Sequence, residues 1–121
     1  LVVAGQGVKE KKDLCMIRQL AELLGGEYAV TRPLVEKGWA DYTRQIGLSG
    51  RTVKPGLIIT CGVSGAIQFT ACMQAADHIV AINIDPQAPI FKIAHYAVID
   101  DLYHVVPALI ASIKGARTHE V

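Results

Sequence analysis

The sequence predicts an α/β domain, a three-layer, Rossmann-like parallel sheet with helices on both faces. Short aliphatic runs at Leu1–Ala4, Leu57–Cys61, His78–Ile82 and Tyr96–Ile99 are separated by helical patterns, without hairpin signals such as Asn-Gly. Within Leu57–Cys72, LIITCGVSGAIQFTAC, an apolar strand passes through Gly-Val-Ser-Gly into a helix. A composition of 51% hydrophobic and 19% charged residues suits strands buried on both faces and excludes disorder.

Each element follows from its local pattern. Leu1–Ala4 reads as the first strand, and Gln6-Gly7 turns the chain. Over Asp13–Leu24, the residues Leu14, Ile17, Leu20, Ala21 and Leu24 recur at helical spacing, and Gly25-Gly26 stops the helix. Tyr28–Val30 is a short strand. A brief helix starts at Thr31-Arg32-Pro33, with the proline suited to a first turn, and ends by Gly38. Trp39–Gly56 has no clean period, and so long an irregular passage is usually functional or flexible. Strand Leu57–Cys61 then leads to a helix over Ser64–Met73, strand His78–Ile82, a short helix near Ala88–Ala94 and strand Tyr96–Ile99. Proline lacks the N–H that a helix interior needs, so Pro107 is expected in the first turn of a last helix, about Pro107–Lys114. This gives one domain over 1–114 and a flexible tail over 115–121.

Several function classes drop out. The net charge is +1 with basic residues scattered, which is not the stripe of a nucleic-acid binder. The densest group, Lys9-Glu10-Lys11-Lys12, reads as a solvated helix surface. No apolar run approaches the ~20 residues of a membrane span. Cys15, Cys61 and Cys72 form no CxxC pair, which fits a reducing compartment, and His78, His95, His104 and His119 lack metal-ligand spacing. The chain starts at Leu1 inside a strand, without an initiator Met, which suggests a part of a longer protein.

A binding site is expected on the carboxyl rim of the sheet. There, backbone N–H groups and the helix dipole after Gly62-Val63-Ser64-Gly65 favour an anion, and a nucleotide cofactor can lie across the strand ends. Ser64 is also simply a favoured N-cap. Gly5-Gln6-Gly7 is a weaker signal, because Glu10 occupies the last position of GxGxxG. Asn83 lies just past a strand, where a ribose or phosphate would pass, whereas Asp85 before Pro86 serves equally as a cap. Asp101 follows the next strand and suits either a ribose hydroxyl or a helix cap. Arg32 stands between a strand and Pro33, on the same rim by topology. No nucleophile–base pair, carboxylate pair or metal cluster emerges, so any chemistry belongs to a cofactor.

With GVSGAIQ at Gly62–Gln68, AINIDPQAPIF at Ala81–Phe91 and Asp101-Leu102 downstream, the chain resembles the FAD-binding domain of the electron transfer flavoprotein alpha subunit. The similarity runs from about Leu1 to Ile113 and includes Gln45-Ile46-Gly47-Leu48-Ser49-Gly50-Arg51. The resemblance implies a non-covalent FAD carrier rather than an enzyme. Its electrons would come from flavoprotein dehydrogenases, typically the acyl-CoA dehydrogenases of fatty acid β-oxidation, and pass to a quinone oxidoreductase or another acceptor. It also implies a heterodimer with a beta subunit, in the cytoplasm of a prokaryote or the mitochondrial matrix of a eukaryote.

The same resemblance assigns cofactor contacts. Arg32 would lie against the isoalloxazine, and the Ser49 hydroxyl near its reactive nitrogen, with Gly50 beside it. Gln45, Gly62, Ser64, Gly65 and Gln68 would contact the flavin, ribityl chain or phosphates. Asn83 and Asp101 would hold the ADP portion, with Leu102 packing beside it. Two positions depart from the family pattern: Leu48 replaces a common glutamine, and Phe69 a common histidine. Phenylalanine cannot donate toward the flavin carbonyl, which forgoes about 1.5–3 kcal/mol of stabilisation for negative charge on the ring. Phe69→His in the intact protein is therefore expected to raise the first-electron potential. Two other readings share the sheet logic: an NAD(P)-binding domain of a transhydrogenase-like enzyme, and an assembly domain that has lost its cofactor.

Overall fold

Five parallel strands form one sheet: β1 (Val2–Ala4), β2 (Tyr28–Val30), β3 (Leu57–Cys61), β4 (His78–Asn83) and β5 (Tyr96–Ile99), in the order β2-β1-β3-β4-β5. The structure is a computed structural model and describes residues 1–45, 56–64 and 76–119. The expected helix over Ser64–Met73 lies outside the described residues beyond Ser64, as do Leu48, Ser49, Gly50, Gly65, Gln68 and Phe69. Register is continuous across the centre, where Val2 pairs with both Tyr28 and Ile59, and Ala4 with both Val30 and Cys61. The all-parallel α/β sheet agrees with the class expected from sequence, and its order is one of the two common doubly wound arrangements.

Alternation along the strands divides the core in two. Val2, Ala4, Ile59, Cys61 and Ile82 face helices α1 (Leu14–Leu23) and α3 (Leu102–His119), against Ile17, Leu20, Val106 and Ile110. Val3, Ala29, Ile58, Ile79 and Ala81 face the other way, where Ala88 and Ile90 of the segment around the 3-10 turn Pro89–Lys92 pack on them. β5 closes one edge with Tyr96 and Ile99 exposed.

Both short connections on the β2 side end in the same backbone device. α1 stops where the Gly26 N–H donates to the Ala21 carbonyl at 2.9 Å and Gly25, at φ 72, donates to Glu22. Helix α2 (Arg32–Glu36) stops where Trp39 donates to Leu34 at 3.0 Å and Gly38, at φ 74, donates to Val35. These are Schellman ends, and the left-handed residue in each is glycine.

The last helix departs from expectation at both ends. It begins at Leu102, so Pro107 lies inside it rather than in its first turn. The Asp101 carboxylate accepts from the Tyr103 N–H at 2.9 Å, and the Asp101 carbonyl accepts from His104 and Val105, so the capping residue lies well ahead of Pro107 and starts the helix at Leu102. An interior proline costs about 3 kcal/mol. Leu102, Val106 and Ile110 are all buried, and each contributes about 1.5–3 kcal/mol, so packing wins. The helix also continues through Gly115 to His119, where a loose tail was expected. A single glycine costs only about 1 kcal/mol relative to alanine and does not stop an established helix.

Candidate functional site

The chain leaves β1 toward β2 on one side and returns to β3 on the other, so the order reverses between β1 and β3. At that switch point a parallel sheet opens a crevice at its carboxyl end. A cleft of about 310 Å3 lies there, lined by Gln6, Gly7 and Lys9 after β1, Gly62 and Ser64 after β3, Ile82, Asn83 and Ile84 at the end of β4, and Asp101 and Leu102 after β5. That volume is at the lower end of the ~300–1,000 Å3 typical of ligand sites, enough for part of a dinucleotide.

Glycine makes the floor of the cleft possible. The Gly5 N–H donates to the Cys61 carbonyl and the Gly7 N–H to the Gly62 carbonyl, both at 3.0 Å. A Cβ on Gly7 would stand 2.6 Å from the Gly62 Cα, and one on Gly62 would meet the Gly7 Cα at 2.6 Å and Leu102 Cδ2 at 2.9 Å. Gly62 also holds φ +69, a backbone region that L side chains avoid. Gly5 and Gly7 thus serve close packing against the Gly62 loop, not the remainder of a fingerprint.

Asn83 fastens the far wall. Its Nδ2 donates to the Val63 carbonyl at 3.0 Å, and its Oδ1 accepts from the Asp85 N–H at 2.9 Å. One amide hydrogen and one lone pair remain for a ligand. Asp85 accepts from the Gln87 N–H at 2.9 Å, so of the two roles open to it the turn-capping one is filled. Asp101 fills the capping role, accepting at the start of α3 with Oδ1, and it also lines the cleft, where a carboxylate has lone pairs to spare. The Ser64 carbonyl accepts from the Ile90 N–H at 2.8 Å, tying the β3 loop to the turn after β4.

Arg32 and Gln45 stand elsewhere on the rim. Arg32 opens α2 just past β2, the strand beyond β1, and its Nε donates to Glu36 Oε1 at 2.9 Å with both side chains exposed. Gln45 forms a parallel bridge to Val30 at the end of the same strand. Thus Gly62, Ser64, Asn83, Asp101 and Leu102 share one cleft, while Arg32 and Gln45 share the neighbouring corner.

Lys9 is exposed like the rest of its group, but it stands ahead of the 3-10 turn Lys11–Asp13 and lines the cleft, which sequence reasoning missed. Its N–H donates to the Tyr103 hydroxyl at 2.7 Å, and that hydroxyl donates to Asp13 Oδ2 at 2.6 Å. Burial and the Asp13 hydrogen bond raise the Tyr103 pKa, so the phenol stays protonated and keeps donating. The Cys61 thiol, in the core beneath the rim, is pushed up to about 12 by burial and is inert. Among the described residues no cluster of His, Cys, Asp and Glu is arranged to hold a metal ion, and no helix is long and apolar enough to cross a membrane.

The residues present fit a nucleotide: a floor at Gly7 and Gly62 that carries no side chain, acceptors for sugar hydroxyls, one cation and an apolar Leu102 wall. Fold and cleft together define a doubly wound domain with a nucleotide-type crevice. Residues 1–74 match the electron transfer flavoprotein FAD-binding domain, and the chain belongs to that family. It is 53% identical over 120 residues to the lactate dehydrogenase (NAD(+),ferredoxin) subunit LctC of Acetobacterium woodii, covering 99% of this chain and 29% of that protein. It is 49% identical over 117 residues to the electron transfer flavoprotein subunit alpha of Clostridium acetobutylicum, covering 97% and 35%. Protein FixB of Azotobacter vinelandii is 45% identical over 115 residues, covering 95% and 32%. The chain therefore spans about a third of the length of these curated relatives.

Proposed function

We propose that this domain holds FAD non-covalently across the carboxyl end of its sheet and serves as an electron carrier. The observation that carries the reading is the cleft at the β1/β3 switch point, where the Gly7–Gly62 contact, Asn83 and Asp101 converge. Bound flavin supplies reversible one- and two-electron transfer. The protein's part is to bind and orient: Asp101 accepts from ribose hydroxyls, Asn83 fixes the wall that carries Ser64, and Leu102 packs beside the nucleotide. By resemblance, Arg32, Gln45, Ser49, Gly50, Gly65, Gln68 and Phe69 serve the flavin, ribityl and phosphate portions.

In the whole protein, a beta subunit encloses the ring and completes a heterodimer. Electrons arrive from flavoprotein dehydrogenases, acyl-CoA dehydrogenases among them, and leave to a quinone oxidoreductase or another acceptor. A second reading of donor and acceptor comes from the relative LctC, named as a subunit of a lactate dehydrogenase that works with NAD+ and ferredoxin. The bacterial relatives favour the cytoplasm.

The test is an absorption spectrum and FAD titration of the full-length protein purified with its beta subunit. A yellow preparation with stoichiometric FAD is expected. Retention of NADPH without flavin would replace this reading with a transhydrogenase-like one. Failure to bind FAD even with the beta subunit present would leave a cofactor-less assembly domain. Reduction by lactate with NAD+ and ferredoxin, rather than by an acyl-CoA dehydrogenase, decides between the two electron routes.

A further inference from the structure

The loop after β1 brings a lysine to the lining of the cleft. Among the described residues lining it, Lys9 is the cationic group and Asp101 the anionic one. Lys9 is held in place from two sides. Its backbone N–H donates to the Tyr103 hydroxyl at 2.7 Å, and its Nζ stands 5.6 Å from the centroid of the Tyr103 ring. Through the 2.6 Å bond from that hydroxyl to Asp13, one phenol pins the loop to the start of α1 and the first turn of α3. The acid next in sequence does not compete for the ammonium, because Glu10 pairs with Lys12 at 3.1 Å.

Two opposite charges on one lining sort the parts of a nucleotide. A carboxylate accepts from sugar hydroxyls and repels phosphate, whereas an ammonium offers three donors and a compact positive charge. Gly7 and Gly62, packed so closely on one another that neither admits a Cβ, both line the cleft alongside Lys9 and bring no side chain of their own to it.

We propose that Lys9 is the phosphate-recognising cation of the cleft, taking the diphosphate of a nucleoside diphosphate moiety, and that Tyr103 is the positioning residue that sets its loop. The inference deepens the nucleotide part of the proposed function and rests on it, but does not require the flavin ring.

The test compares wild type with Lys9→Gln, Lys9→Arg and Tyr103→Phe in the full-length protein, titrated with ADP, FAD and adenosine. Lys9 is exposed, so its variants should keep the fold, which a thermal melt confirms. Lys9→Gln is expected to weaken ADP and FAD about tenfold, the size of one exposed charge-assisted contact, and to leave adenosine unchanged. Its ADP affinity should also depend less steeply on salt than that of wild type. Lys9→Arg should restore most of the affinity, and Tyr103→Phe should weaken ADP by roughly two- to fivefold through the loop. Wild-type affinity for ADP in Lys9→Gln overturns the assignment and leaves FAD binding by the wild type untouched. Equal weakening of adenosine overturns it as well, because it signals a change of cleft shape instead of lost phosphate recognition. A wild type that takes ADP through Lys9 but no FAD upholds the inference and removes the flavin reading. A wild type that takes neither ligand removes both.

Discussion

The carboxyl rim of the sheet has two unlike sectors. From β1 to β5, loops far apart in sequence are locked to one another by hydrogen bonds to backbone carbonyls: Gly5 to Cys61, Gly7 to Gly62, the Asn83 amide to Val63, and Ile90 to Ser64. At β2, Arg32 and Gln45 sit on a short helix and a single bridge, and Arg32 is engaged by a surface ion pair within its own helix. The first sector is preorganised, so a ligand there meets groups whose ordering entropy is already spent. The second must rearrange an exposed arginine before it can serve a ligand. The rigid sector is the one expected to hold a nucleotide, and the adaptable sector the one expected to reach the redox ring.

The harshest way to break the rigid sector is Gly62→Val. The new side chain would start 2.6 Å from the Gly7 Cα on a backbone at φ +69, so both sterics and backbone energy oppose it. Such combined clash and strain should cost about 3 kcal/mol or more, seen as a large fall in denaturation midpoint with loss of bound FAD. Retention of full stability would show that the two loops are not in the contact described.

Asn83→Ala ranks next. It removes a donor to the Val63 carbonyl and an acceptor for the Asp85 N–H, both half-buried or at the surface. At about 1 kcal/mol for each bond, a loss of roughly 2 kcal/mol is expected by denaturant titration. Asn83→Asp keeps the acceptor and loses the donor, so its stability should fall between the two. An alanine variant as stable as wild type would mean that the β3 and β4 loops are held together elsewhere.

How much of this was legible from sequence depends on how local each cause is. The strands Tyr28–Val30, Leu57–Cys61 and Tyr96–Ile99 emerge where expected, because short runs of aromatic, β-branched and other apolar residues are written in adjacent positions. The start of α3 was misplaced because proline is a conspicuous local signal, while the Asp101 cap and the burial of Leu102 and Val106 depend on the assembled sheet. Lys9 was hidden for the same reason. Its neighbours Glu10, Lys11 and Lys12 look like any solvated face, and the group that orients it, Tyr103, lies 94 residues away. A search pairing the GxG loop with residues after each later strand is the one signal that points to it. The contacts of Gln68 and Phe69, by contrast, rest on family resemblance, since both lie outside the described residues.

Asp101→Asn separates the two tasks joined in that residue. Asparagine caps a helix about as well as aspartate, so stability should change by less than about 0.5 kcal/mol. Nucleotide affinity should nonetheless fall by roughly three- to tenfold, because a neutral amide oxygen accepts a sugar hydroxyl more weakly than a carboxylate does. A variant whose stability falls while its affinity holds would assign Asp101 to the helix alone.

The smallest effect on stability is expected in the adaptable sector. The Arg32–Glu36 side chains are 71% and 62% exposed, and such pairs contribute only about 0–0.5 kcal/mol, so Glu36→Gln should leave the melting profile almost unchanged. Its consequence belongs to function. With Glu36→Gln no carboxylate offsets the positive charge of Arg32 at the β2 corner, so in the FAD-loaded protein the flavin potential should rise, and Arg32→Gln should lower it. If both variants keep the wild-type potential while Gly62→Val and Asp101→Asn still impair nucleotide binding, Arg32 is surface charge, and the division of labour along the rim fails at the β2 end only.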